Sequence, residues 1–170
     1  MKFQFEPNDT VMYGGQGACK LLEITEREFC GDLKWYYVLR YAFSGSSVFY
    51  VPVDSQLLTS KMHLVKSARE IRDIVRSVKE IEWIEEDRPR QNHFKQLLEA
   101  GGTENIVSMF KLIARKQKEL VEIGKKLRAV DERLFGEMER LLHEEFSFAF
   151  DIAKDDVLPF VLGEKELAEK

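Results

Sequence analysis

Residues 10–22 read TVMYGGQGACKLL, and the meaning of the glycines at 14, 15 and 17 decides the fold of the first third of the chain. A phosphate-cradling loop would need this glycine cluster to feed the N-terminus of a helix, usually with a lysine beside the phosphates. The continuation ACKLLEI instead alternates as a strand does, and no GK[ST] follows it. The cluster therefore predicts a tight hairpin in which Gly14, Gly15 and Gly17 supply positive φ between two strands.

Working outward from that hairpin, strand rhythm continues. The runs TVMY, GACKLLEITEREF, LKWYYVLRYAF and SVFYVPVD are β-branched and aromatic, and glycine, Asp or Ser clusters separate them. In the third run Leu33, Trp35, Tyr37 and Leu39 alternate with Lys34, Tyr36, Val38 and Arg40, which places one set on each face of a sheet. CGD at 30–32 and SGSS at 44–47 have tight-turn chemistry, so consecutive strands are expected to pair antiparallel. Short strands in so small a segment suggest a strongly bent sheet or a small barrel of SH3 or Tudor type.

From Ser67 the period becomes helical. Ile71, Ile74, Val75 and Val78 follow i, i+3, i+4, i+7 spacing, with Ser67 as N-cap. Pro89 separates this helix from a second carrying Phe94, Leu97 and Leu98, which stops at Gly101-Gly102. Thr103 is placed to cap a third, with Ile106, Met109, Phe110 and Ile113 on its apolar face. A fourth runs from Asp131 to Phe146, and a last begins near Asp155 with Pro159 in its first turn. The expected class is α+β: a Tudor- or SH3-like small β-barrel over residues 1–62, then an all-helical domain of about five helices over 67–170.

Composition narrows the function. The chain has 170 residues, 44% of them hydrophobic, enough to build one medium core or two small ones. Its apolar runs are too short to cross a bilayer and its first residues lack a signal-peptide core, so a cytoplasmic protein without a membrane partner is expected. Cys19 and Cys30 form no CxxC, and His63, His93 and His143 lie far apart, so no metal or other cofactor is expected. A Cys19–Cys30 disulfide stays open, with two reduced, half-buried strand cysteines as the expectation. No HExxH or GxSxG occurs, and the acids of IEEDR at 84–88 read as a solvated run. The expectation is a non-enzyme with no small-molecule substrate, unless a pocket with converging polar groups exists. Residues 1–66 carry seven basic and seven acidic side chains, so the helical part holds the whole net charge of −4. Nucleic acid, if bound, must meet a local patch.

The stretches FEPNDTVMYGGQGACKLLEI (5–24), YYVLRY (36–41) and VFYVPVD (48–54) resemble the opening of the CarD family of bacterial transcription regulators. The same small domain occurs in transcription-repair coupling factor. Val11, Tyr13, Gly17, Val38, Leu39, Val51 and Pro52 match the family pattern, while its Gly-Asp stands here as Asn8-Asp9. The helical part is similar more loosely, around LLEAGGTENIVSMFKLI (97–113) and EEFSFAFDI (144–152). The resemblance implies a domain that binds the β subunit of RNA polymerase. It also implies a helical domain that touches promoter DNA weakly, in the minor groove near the upstream edge of the bubble, and changes open-complex stability.

By the same resemblance Arg27 falls where a family arginine contacts β, and Tyr50 where a second arginine stands. Tyrosine supplies area and one hydrogen bond but no charge. The family's DNA-wedging tryptophan aligns near Asp87; Trp83, about one helical turn earlier, is the candidate substitute, against a packing role beside Ile81 and Ile84. Arg88, Arg90, His93 and Lys95 form the first candidate phosphate-contacting patch, and Lys125, Lys126 and Arg128 the second. The alternative is a protein–protein adaptor on RNA polymerase with no direct DNA contact, favoured by the acidic balance.

Overall fold

The structure is a computed structural model and describes residues 2–170; Met1, the first residue of the expected N-terminal domain, lies outside the described residues. The chain divides into two compact units between Val65 and Lys66.

The first unit is an antiparallel sheet of five strands: β1 (Thr10–Tyr13), β2 (Ala18–Phe29), β3 (Asp32–Tyr41), β4 (Val48–Pro52) and β5 (Met62–Leu64), in the order β4-β3-β2-β1-β5. A short helix, α1 (Gln56–Thr59), connects β4 to β5. The glycine cluster turns the β1–β2 hairpin through one 3-10 turn at Gly14–Gln16, closed by the Tyr13 N–H donating to the Gly17 carbonyl at 3.0 Å. Gly14 and Gly17 take φ of 48° and 99°, values that disfavour any side chain, whereas Gly15 is not left-handed. Cys30 and Gly31, at φ 55° and 87°, form the two-residue loop between β2 and β3, the twist that a right-handed strand pair accepts. Cys19 and Cys30 are not joined in a disulfide; Cys19 is buried on β2, but Cys30 is exposed in this turn and not half-buried on a strand. Asn8 also sits at φ 78°, which explains how asparagine stands in for the glycine of the family pattern.

The expected closed barrel is corrected: the sheet is open. β5 has three residues, and its pairing is with β1 (Val11↔Leu64, Tyr13↔Met62). Among the described residues no strand pairs with the outer edge of β4, so the ends of the sheet do not meet. One face packs a core of Phe5, Val11, Leu21, Tyr37, Leu39 and Val51.

The second unit holds five α-helices: α2 (Ala68–Ser77), α3 (Asp87–Ala100), α4 (Thr103–Glu122), α5 (Ala129–Phe146) and α6 (Val157–Val161), the last preceded by a 3-10 turn at Lys154–Asp156. Ser67 caps α2 as expected, in a capping box with Glu70. Pro89 sits inside the first turn of α3, where its missing N–H has no intrahelical partner to lose. Gly102, not Thr103, is the N-cap of α4. The Thr103 hydroxyl donates instead to the buried Glu145 carboxylate, at 3.0 and 2.9 Å, and Glu145 also accepts from the Lys66 N–H at 3.2 Å. α4 is the central helix, its Phe110 stacked on Phe135 of α5 at 4.4 Å with Ile106, Met109 and Ile113 buried alongside. Among the described residues no helix is long and apolar enough to cross a membrane.

Candidate functional site

Strand register sorts the sheet's side chains. Thr25 faces Tyr36, Arg27 faces Lys34 and Val38 faces Tyr50, so these residues share the face turned away from the core. Tyr36 and Val38 are nevertheless buried. Phe29 stands edge-on to Tyr36 at 5.0 Å and to Tyr50 at 5.7 Å, and the Arg27 guanidinium lies over the Tyr50 ring with Cζ 5.1 Å from its centroid. The outer face thus carries an aromatic cluster whose outermost members, Phe29 and Tyr50, remain 44% and 40% exposed. Arg27 reaches Glu23 at 3.6 Å, with both side chains about half exposed. Such a pair contributes little and leaves a guanidinium fork able to take a carboxylate.

The structure therefore brings together Arg27 and Tyr50, two residues 23 positions apart in the sequence. Sequence reasoning missed Phe29. Its signal was the period of two from Arg27, which puts an aromatic on the arginine's face just before the CGD turn.

In the helical unit Trp83 lies in the irregular segment between α2 and α3 and is half-buried. Arg90 Cζ sits 4.4 Å from its ring centroid, Lys116 Nζ 5.4 Å, and Phe94 meets it edge-on at 6.1 Å. This geometry favours the packing role over the wedge: insertion between bases would strip the ring of two cations and an aromatic neighbour.

Arg90 is corrected outright. It is 2% exposed, and each of its five N–H groups has an acceptor. Nε and Nη2 donate to Asp131 at 3.4 and 2.9 Å, Nη2 to Asp87 at 2.8 Å, and Nη1 to the carbonyls of Ile84 and Glu85 at 2.9 and 3.1 Å. Burial alone would lower its pKa; the bonds to Asp131 and Asp87 outweigh that and hold it above the ordinary value. No donor remains for a phosphate.

The other candidates stay on the surface. Arg88 is exposed in the first turn of α3, and Lys95 is exposed beside Glu99 at 3.8 Å. His93 is half-buried next to Phe94. Lys125 and Lys126 are exposed on the turn after α4, whereas Arg128 pairs with Asp87.

A cleft of about 380 Å³ lies within the helical unit, with Ile81, Leu112 and Val161 among its apolar walls and Lys111 and Arg115 at its rim. Four of its polar side chains have partners. Arg115 pairs with Glu80, the Lys111 ammonium donates to the Val75 carbonyl, and the Ser108 hydroxyl donates to the Lys79 carbonyl. Burial lowers the Lys111 pKa, against the opposing influence of Glu80.

Comparison with known families bears on the first unit. Residues 5–62 match the family described as CarD-like/TRCF RID domain. The N-terminal sheet is a CarD-like domain. The match takes in β1 to β4, α1 and the first residue of β5, and with them the whole Phe29–Tyr36–Tyr50 cluster. The match supports an RNA polymerase-interacting protein. No curated protein matches the chain.

Proposed function

We propose that the CarD-like domain docks on the β subunit of RNA polymerase through its outer face, and that the helical unit then modulates open-complex stability through weak contacts with promoter DNA. The protein acts without catalysis, in the cytoplasm where the polymerase works. One observation carries the docking reading: on the face away from its core, the sheet exposes Phe29 and Tyr50 beside an arginine whose partner is a screened Glu23. An aromatic anchor with an adjoining, half-exposed guanidinium is the pattern of an interface hot spot. The free edge of β4 offers backbone groups to a partner strand in addition.

Arg88, Lys95, Lys125 and Lys126 are the exposed cations this reading assigns to phosphates. In a unit of net charge −3 their intrinsic affinity is low and salt-sensitive. Docking makes the DNA contact intramolecular, so feeble affinity suffices. A stabilisation of only ~1.4 kcal/mol shifts an open-complex population tenfold.

The test is retention of purified RNA polymerase on the immobilised full chain. Arg27→Glu is expected to lower retention at least about tenfold, the loss of a modest hot spot. Equal retention by wild type and Arg27→Glu would move the interface off this face. A second reading, an adaptor that never touches DNA, draws on the burial of Arg90 and the packing of Trp83. Open-complex lifetimes separate the two: under the adaptor reading, charge reversal at Arg88, Lys95, Lys125 and Lys126 leaves the lifetime unchanged.

A further inference from the structure

The cleft of the helical unit is held open by specific bonds. Three side chains of α4 fasten the chain between Val75 and Glu80 to the helix. The Lys111 ammonium donates to the Val75 carbonyl, the Ser108 hydroxyl donates to the Lys79 carbonyl at 3.0 Å, and Arg115 pairs with Glu80. Another wall is the end of α6, anchored by Val161, which is 1% exposed. These walls are fixed before anything binds, and a recess of about 380 Å³ remains beside them.

The apolar lining is aliphatic: Ile81, Leu112, Ala114, Val161 and Leu162, with no aromatic ring among the described residues that line it. Leu162 is left 44% exposed here. A nucleobase or other flat ring would find no stacking partner, whereas an alkyl chain would find dispersion contacts along its length. At about 30 Å³ for a group the size of a water molecule, the recess takes about a dozen non-hydrogen atoms, a chain of about ten carbons with its head group.

The charges select that head group. Lys111, Arg115 and Lys118 recur at i, i+4 and i+7 on α4, so they share one face of the helix. Glu80 and Glu164 oppose them, which leaves one positive charge in excess. Lys118 is exposed and, among the described residues, has no ion-pair partner. Arg115 meets Glu80 with side chains 47% and 70% exposed, a pairing that a second carboxylate shares at little cost. Lys111 has two donors left after Val75, and burial lowers its pKa more than Glu80 raises it, so an added anion favours its charged form. Ser108 has already given its hydrogen to Lys79, so recognition falls to the cations. One excess charge matches a monoanion; a dicarboxylate or a phosphate dianion leaves a surplus negative charge.

We propose that this cleft binds a medium-chain aliphatic monocarboxylate, its chain laid on Ile81, Leu112 and Leu162 and its carboxylate held by Arg115 and Lys118. The site goes beyond the transcriptional reading and rests on neither polymerase docking nor DNA contact. Bound there, the ligand joins the segment between α2 and α3 to α4 and to the end of α6, and so stabilises the helical unit.

The experiment titrates the full chain with decanoate, by calorimetry and by methyl NMR. Decanoate is expected to bind with a Kd below about 1 mM and to shift the methyl signals of Ile81, Leu112, Val161 and Leu162. Octanoate should bind about fifteenfold more weakly, about fourfold for each methylene removed. Decanol, which lacks the charge, and decanedioate, which doubles it, should each bind at least about tenfold more weakly than decanoate. Lys118→Glu and Arg115→Gln, both at side chains half exposed or more, should each weaken decanoate at least about tenfold. Absence of binding up to about 1 mM, equal binding of decanol, or shifts confined to methyls outside the cleft overturns the proposal. Full affinity in a double variant carrying Arg115→Gln and Lys118→Glu does so as well. A short peptide rich in Leu and Glu that shifts the cleft methyls while decanoate leaves them unmoved also overturns it, and assigns the cleft to a protein partner.

Discussion

Arg27 in the sheet and Arg90 in the helical unit each lie over an aromatic ring, with Cζ 5.1 Å from the centroid of Tyr50 and 4.4 Å from that of Trp83. The rings and the arginines are chemically alike; the surroundings are not. Around Arg27 there is water and one half-exposed glutamate. Around Arg90 there are two carboxylates and two backbone carbonyls, and no solvent. A stacked arginine is therefore not by itself a binding signal. What matters is how many of its five donors the protein already uses, and how much a partner would gain by taking the rest.

The largest effect that would break this contrast is in stability. Replacing Arg90 by Met leaves Asp131, itself 1% exposed, as an uncompensated buried carboxylate. Breaking a buried pair in that way costs about 3–5 kcal/mol. Urea denaturation is expected to register a loss of that size for Arg90→Met and to recover much of it when Asp131→Leu is added, since removing both charges removes the desolvation cost. If Arg27→Met proves equally destabilising, the two arginines do the same job and the contrast fails.

This distinction also marks how far the sequence could be read. Strand alternation from Leu33 to Arg40 put Tyr37 and Leu39 on one face, because a period of two is a local property of the backbone, and the structure makes that face the core. The capping box at Ser67 was half legible for the same reason: the signals lie three residues apart. The open sheet was not legible, because closure depends on whether β4 and β5 meet, and no local pattern records that. Arg90 read as a surface cation within DRPR, since the carboxylate that buries it, Asp131, is 41 residues away. Trp83 stayed open between wedge and packing for the same reason, as its neighbours Arg90 and Lys116 come from two different helices. Conversely, Arg27 and Tyr50 needed only the family pattern to be named, and the register of three adjacent strands set them side by side.

Between the two arginines stands a polar pair of intermediate value. The Ser67 hydroxyl accepts from the Glu70 N–H at 3.3 Å, and the Glu70 carboxylate accepts from the Ser67 N–H at 2.8 Å. Ser67→Ala is expected to cost about 1 kcal/mol. Hydrogen bonds from the Ser67 side chain and backbone lower the Glu70 pKa from its ordinary 4.5. A carboxylate whose folded pKa is lowered contributes stability above its unfolded value and loses it as pH falls through the folded one. The gap between wild type and Ser67→Ala should therefore be full near neutral pH and shrink as pH drops below about 4.5. A gap that stays constant down to acid pH would place the cap's value in the serine hydroxyl alone and remove Glu70 from it.

The smallest stability effect and the sharpest functional one are expected at the same residue. Arg27→Met keeps an apolar chain to lie over Tyr50 and gives up a screened contact with Glu23, so the fold should lose about 0.5 kcal/mol or less. Polymerase retention should nonetheless fall, because internally the fork makes only the screened contact with Glu23. Arg27→Lys divides that loss further. Lysine keeps the charge but cannot present two parallel donors, so binding that falls with Lys as far as with Met points to a bidentate carboxylate on the polymerase. Binding that survives with Lys points to a point-charge contact, and the aromatic pair Phe29 and Tyr50 then becomes the main anchor. In either case unfolding curves stay superimposed while retention changes, the inverse of what Arg90→Met produces. That inversion separates a surface kept free for a partner from a network closed on itself.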